Sequence, residues 1–277
     1  MQQPHGRLAG VATAGFFALG ISAYRLLRNT GDREFFTRSF RIAAVYALVG
    51  SLLIIPVGHA QAQHVVQAQP MKMAAAEALW ESEDPAALSL FTIGDEQNLR
   101  DVFSIRVSPL LTLLSYGTLQ GQVQGIRNLQ AQYEQQYGPG DYVPPVAISY
   151  WSFRLMVGAG FLMALLTMVA VYLVVRRQIV RYGRFLLLLV PAIGLPYLAN
   201  TTGWLLTEMG RQPWIVNGLM KTADAVSPTV PAGMVLISVI GFTLLYGALM
   251  VADAYLLLRY ATGEPAAEEE PSPLGAY

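Results

Sequence analysis

The chain contains no cysteine. Disulfides, iron–sulfur clusters and the C-x-x-C-H attachment of c-type haem are therefore excluded. Histidine is scarce too: His5, His59 and His64 are all there are, so a metal cofactor must be held by these, by methionine or by carboxylates. Charged residues make up only 13% of the 277, about half the roughly 25% usual in a soluble domain. Basic and acidic residues balance at 18 each, which leaves no electrostatic case for a nucleic-acid partner. No cleavable signal pattern precedes the first apolar run. What is abundant is apolar surface, 54% of residues, and the chain reads as an integral membrane protein.

A membrane crossing needs about 20 mostly apolar residues. Five stretches qualify, near 8–27, 42–58, 150–175, 185–206 and 233–258. The expected fold is all-α: a polytopic membrane bundle of about five helices with one large extracytoplasmic loop. In the first stretch Gly10, Ala14 and Ala18 recur at i, i+4 spacing, a stripe of the kind that lets helices approach closely in lipid. Arg25, Arg28, Arg33, Arg38 and Arg41 crowd the first connection, and Arg176, Arg177, Arg181 and Arg184 the third. The positive-inside rule puts these connections, and Arg259 after the last span, in the cytoplasm. The N-terminus and the second connection then lie outside.

The expected division is 1–58 for two spans, 59–148 for the extracytoplasmic loop, 149–260 for three spans and 261–277 for a disordered cytoplasmic tail. A loop of about 90 residues far exceeds ordinary connections and signals a functional or separately folded segment. Pro70 can open a helix, and 71–80 is alanine-rich. Val123, Ile126, Leu129, Tyr133 and Tyr137 form one apolar stripe, which predicts a second helix over 123–137. Pro139, Gly140, Pro144 and Pro145 break the chain before the third span. The tail is acidic and proline-rich.

Candidate chemistry gathers at the outer end. His5 precedes the first span, where an imidazole is either an iron ligand or an interfacial group. Met156 offers a soft thioether, or ordinary packing. Arg154, inside the first turns of a span, needs an anion such as a haem propionate or a headgroup phosphate. Glu208 and Arg211 close the fourth span within GWLLTEMGRQPW, where Trp204, Arg211 and Trp214 also suit a simple interfacial cap. Lys72 and Glu77 have the chemistry to bind and deprotonate a quinol, but their i, i+5 spacing sets them about 140° apart on a helix. Spacing alone does not make them a site. His59 and His64 share that spacing and read as loop residues.

Four stretches carry a resemblance: GISAYRLL after His5, GHAQAQ with QPMKMAAAEALW, FRLMVGAGF and GWLLTEMGRQPW. In this order they resemble subunit I of the cytochrome bd-type quinol oxidases, over nearly the whole chain. The resemblance implies His5 and Met156 as ligands of a low-spin haem b, with Arg154 stabilising its reduced form. It implies Lys72 and Glu77 as the quinol-binding and quinol-oxidising pair of the Q-loop, here in its shorter form. Glu208 is similar to the carboxylate ligand of a high-spin haem b, Trp204 to the tryptophan between haems, and Arg211 to the arginine of the GRQPW motif.

The implied partners are quinol (ubiquinol or menaquinol), a second oxidase subunit and membrane lipid, in a bacterial or archaeal cytoplasmic membrane. About four further spans precede the His5 position in that family, and five spans leave no room for them. The chain is accordingly expected to match the C-terminal half of subunit I, with high-spin haem b and haem d bound only when the N-terminal half is supplied. Three readings follow: an oxidase component that contributes to the proton motive force, a single-haem quinol-binding cytochrome without oxygen reduction, and a non-catalytic relic.

Overall fold

Among the described residues five helical stretches are long and apolar enough to cross a membrane, at the five expected places. The structure, a computed structural model, describes residues 2–29 and 32–262. The expected disordered tail therefore lies, from residue 263 on, outside the described residues.

Helix α1 covers Gln2–Arg28 and α2 covers Arg33–Ala68. Asp32 caps α2: its Oδ1 accepts from the amides of Glu34 and Phe35 at 2.8 and 3.1 Å. That satisfies two of the amides a helix start leaves without partners. α2 runs past the expected span end at 58 to Ala68. His59 and His64 thus stand on its last turns and not in a loop.

The α1–α2 seam differs from the expected stripe. Gly10, Ala14 and Ala18 are exposed, while Ala12, Phe16, Leu19 and Ala23 are buried. α2 presents Ala43, Ala44, Ala47 and Gly50, and a side chain added to Gly15 would meet Ala47 Cα at 2.7 Å. Close approach is chosen by the partner's small residues as much as by α1's own. A core of Phe16, Leu19, Phe40, Leu186, Leu189 and Met163 fills the middle of the bundle.

The third crossing is α6, Val146–Val175, and α9, Ala232–Thr262, is the fifth. The fourth is broken into α7, Gly183–Leu189, a 3-10 turn at Pro191–Ile193, and α8, Gly194–Met209. Pro191 explains the break, because its ring lacks the amide and crowds the preceding turn.

The long connection adds β-structure to a mostly helical chain. α3, Pro70–Glu77, is followed by an antiparallel hairpin of β1, Leu88–Asp95, and β2, Arg100–Val107. α4, Leu110–Tyr116, and α5, Ile126–Tyr137, complete it. α3 and α5 are the two expected helices. Val123 stays outside α5 in an isolated bridge to Glu83. Every residue from Met71 to Glu77 is buried. α3 ends at Ala78 in the left-handed region, φ 47°, where the Leu79 amide reaches back to Ala74 O at 2.9 Å. A second core of Met71, Ala75, Trp80, Ile126, Tyr142 and Trp214 seats this loop on the bundle end.

Candidate functional site

α3 lies against α6 and α8 and sends one charged residue to each. Lys72 is buried, and its Nζ donates to Thr207 O at 3.1 Å in the last turn of α8. The next residue, Glu208, is ion-paired with Arg211. Burial and the Arg211 charge pull the Lys72 ammonium down to about 8, against the opposing pull of Glu208.

Glu77 points the other way, to α6, and is fully buried. Its Oε2 accepts from Arg154 Nη2 at 2.6 Å and from the Ser89 amide at 3.2 Å, and its Oε1 accepts from Arg154 Nη1 at 3.2 Å. Burial holds this carboxyl above its ordinary range, although Arg154, the Ser89 amide and Arg106 all favour the charged form. The separation that speaks against a shared site has a structural use here: two residues off one face reach two helices.

Within this chain the anion that Arg154 meets is Glu77. Both terminal nitrogens are committed to Glu77, and the guanidinium lies 4.8 Å over the Tyr150 ring. Met156 follows two residues later. Its Sδ packs against α8 at Gly203, where an added Cβ would come within 2.9 Å of it. A side chain at 203 would push the thioether aside. Trp204, the next residue, is 64% exposed. His5 is half-buried beside Gly58 of α2, and its Nδ1 is buried with no hydrogen-bond partner.

Among the described residues no cluster of three or more His, Cys, Asp or Glu side chains can hold a bare metal ion. Iron bound by one imidazole and one thioether would need a macrocycle to supply its other ligands, as haem does. The donor set fits that group: an imidazole with an uncommitted buried nitrogen, and a thioether seated on a glycine.

The family profile for cytochrome bd terminal oxidase subunit I matches residues 1–265. The chain belongs to this family. It is 44% identical over 257 residues to the cytochrome bd ubiquinol oxidase subunit 1 of Bacillus subtilis (strain 168), covering 92% of this chain and 55% of that one. It is 28% identical over 326 residues to the cytochrome bd-II ubiquinol oxidase subunit 1 of Escherichia coli (strain K12), covering 97% and 63%. The solved bd oxidase from Geobacillus thermodenitrificans superimposes with a TM-score of 0.78 at 28% identity, over 92% of this chain and 56% of that one. The chain thus spans just over half the length of these relatives, and it is a multi-pass membrane protein.

Sequence reading missed the hairpin's contribution to the site. Ser89 of β1 bonds Glu77, and Arg106 of β2 donates to Ala78 O at 2.7 Å and to Asp101 Oδ2 at 3.1 Å. Asp101 also accepts from Trp80 Nε1 at 2.6 Å. The run RDVFSIRV, with its β-branched and aromatic residues, was the available signal. The expected stripe of α5 is buried at Ile126, Leu129 and Tyr133, while Tyr137 is exposed.

Proposed function

We propose that this chain is the quinol-oxidising, haem-bearing part of a cytochrome bd quinol oxidase. The supporting observation is the placement of α3, which carries Lys72 beside Glu208 on α8 and Glu77 beside Arg154, two residues before Met156, on α6. Two candidate quinol groups thus contact two of the three helices that bear candidate haem ligands.

In this reading Lys72 orients a quinol oxygen and Glu77 accepts its proton. Arg154 holds Glu77 in place and joins it mechanically to the segment of Met156. His5 and Met156 would hold a low-spin haem b, Glu208, with Arg211 beside it, would hold a high-spin haem b, and Trp204 would serve electron transfer. A bound haem would supply the reversible one-electron acceptance that amino-acid side chains lack. Oxygen reduction, with haem d, belongs to the assembly with a second subunit and with the portion of subunit I that the longer relatives carry.

The basic connections put this end of the bundle outside the cytoplasmic membrane. Protons taken by Glu77 then leave on the outer side, which contributes to the proton motive force without a pumping channel.

The test is Glu77→Gln in the assembled oxidase. Haem reduction by quinol should slow by about 100-fold or more, the scale of a positioned general base. Reduction by dithionite should be unchanged. Equal effects on both reductants would remove Glu77 from quinol chemistry.

A further inference from the structure

Among the described residues the buried Glu77 carboxylate has two hydrogen-bond partners, the Arg154 guanidinium of α6 and the main-chain amide of Ser89 in β1. One side chain touches both of them. The Tyr150 ring lies 4.8 Å under the Arg154 guanidinium, and the Tyr150 hydroxyl lies 2.8 Å from Ser89 Oγ. Glu77, Arg154, Tyr150 and Ser89 therefore form a closed ring of contacts in which each touches the next.

The ring has local causes. Tyr150 and Arg154 stand at i, i+4 on α6, the spacing that sets side chains over one another on a helix face. Tyr150 is 2% exposed, and a cation–π contact is strongest where water is excluded. Phe153 flanks the guanidinium too, at 5.2 Å, but of the two rings only Tyr150 is also bonded to Ser89. On the hairpin side the register slips between Ser89 and Phe91. In a regular strand residues three apart point to opposite faces. The bulge turns Ser89 and Thr92 to the same side, where their hydroxyls meet at 2.7 Å. Bulges of this kind re-aim side chains beside active sites. Ser89 is thus held by its hydroxyl from two directions while its amide faces Glu77.

The charged groups acting on Glu77 are Arg154 from α6 and Arg106 from β2; α2 and α5, which also pack on α3, add none. Burial favours the neutral carboxyl, and Arg154 and the Ser89 amide oppose it. If those two partners loosen, burial prevails, and a protonated carboxyl cannot take a proton. We propose that Tyr150 is a positioning residue for quinol oxidation: its ring holds Arg154 and its hydroxyl holds Ser89, which together keep Glu77 ionised and ready to receive the quinol proton. The inference rests on the reading of Glu77 as the base. Tyr150 acts through its two neighbours and takes no proton itself.

The experiment follows the pH profile of quinol oxidation by the assembled oxidase in Tyr150→Leu, which loses ring and hydroxyl, in Tyr150→Phe, which loses the hydroxyl alone, and in Glu77→Gln. Tyr150→Leu should move the acid limb of kcat/KM up by roughly one pH unit, because a base held less well as an anion gives up its proton only at higher pH. Tyr150→Phe should move it up by less. Above that limb kcat should return to within about twofold of wild type. The carbonyl stretch of protonated Glu77, identified in the infrared by its loss in Glu77→Gln, should titrate at the same raised pH. A rate lowered by one factor at every pH would make Tyr150 a packing residue and overturn the proposal, as would an unmoved limb. A slow Glu77→Gln beside a wild-type profile in both Tyr150 variants overturns the positioning role and leaves the base standing. Normal quinol oxidation by Glu77→Gln overturns both. Should Tyr150→Leu not assemble, the nearly isosteric Tyr150→Phe decides by the infrared titration: a raised midpoint supports the role and an unmoved one overturns it.

Discussion

Arg154 and Glu77 are joined at two points, Nη2 to Oε2 at 2.6 Å and Nη1 to Oε1 at 3.2 Å, although 77 residues separate them. The carboxylate side chain is 1% exposed and the guanidinium 17%. The pair locks the loop helix α3 to the membrane helix α6 at the level of Met156.

Removal of one partner of such a pair costs about 3–5 kcal/mol, because the other charge stays buried alone. Arg154→Gln should therefore lower the thermal stability of the purified protein more than the double variant Arg154→Gln/Glu77→Gln does. A double-mutant cycle on unfolding measures this coupling. Simple additivity would mean that the two side chains do not meet in the folded protein.

Lys72 supplies a pH dependence whose sign can be worked out. Its folded value is about 8, below its ordinary 10.5. Between those values the unfolded chain binds a proton that the folded chain does not, so stability rises with pH across that window. Lys72→Met should remove this rise. Quinol binding that needs the ammonium runs the opposite way, and KM should climb above about pH 8. Lys72→Arg, which stays charged, should flatten the KM profile. A wild-type KM independent of pH from about 7 to about 9.5, a range that brackets the titration, would exclude Lys72 from quinol binding.

Met156→Leu is nearly volume-neutral and should cost less than about 1.5 kcal/mol of stability. It should nonetheless abolish the low-spin haem signal in a reduced-minus-oxidised spectrum. Gly203→Ala should perturb the same signal by pushing on the thioether, whereas Gly158→Ala, with open space around it, should leave it unchanged. Equal spectra in the two alanine variants would detach Met156 from the haem.

Asp101 holds the hairpin by taking bonds from Trp80 and Arg106. Asp101→Asn weakens both and should cost about 1–3 kcal/mol locally. Limited proteolysis at Arg100, at the hairpin turn, should become faster. An unchanged cleavage rate would show that the hairpin is held by other contacts.

Much of this protein is legible in its sequence. Five apolar stretches of spanning length have few folded alternatives, because backbone groups in lipid must bond within their own segment. Pro70 and the alanine run sufficed for α3, since a helix start and helix propensity are local properties. The family motifs at GWLLTEMGRQPW and QPMKMAAAEALW were readable for the same reason.

Tertiary structure alone decided who meets whom. The α1 seam falls on Ala12, Phe16 and Leu19 and not on Gly10, Ala14 and Ala18, because α2 brings its own small residues to one side. Arg154 meets Glu77, and Ser89 and Thr92 share a face, through a loop placement and a strand bulge with no periodic signature. Hydropathy period and local propensity act over a few residues. The burial of Glu77 depends on four segments, α3, β1, β2 and α6, that are distant in the chain and converge only in the folded protein.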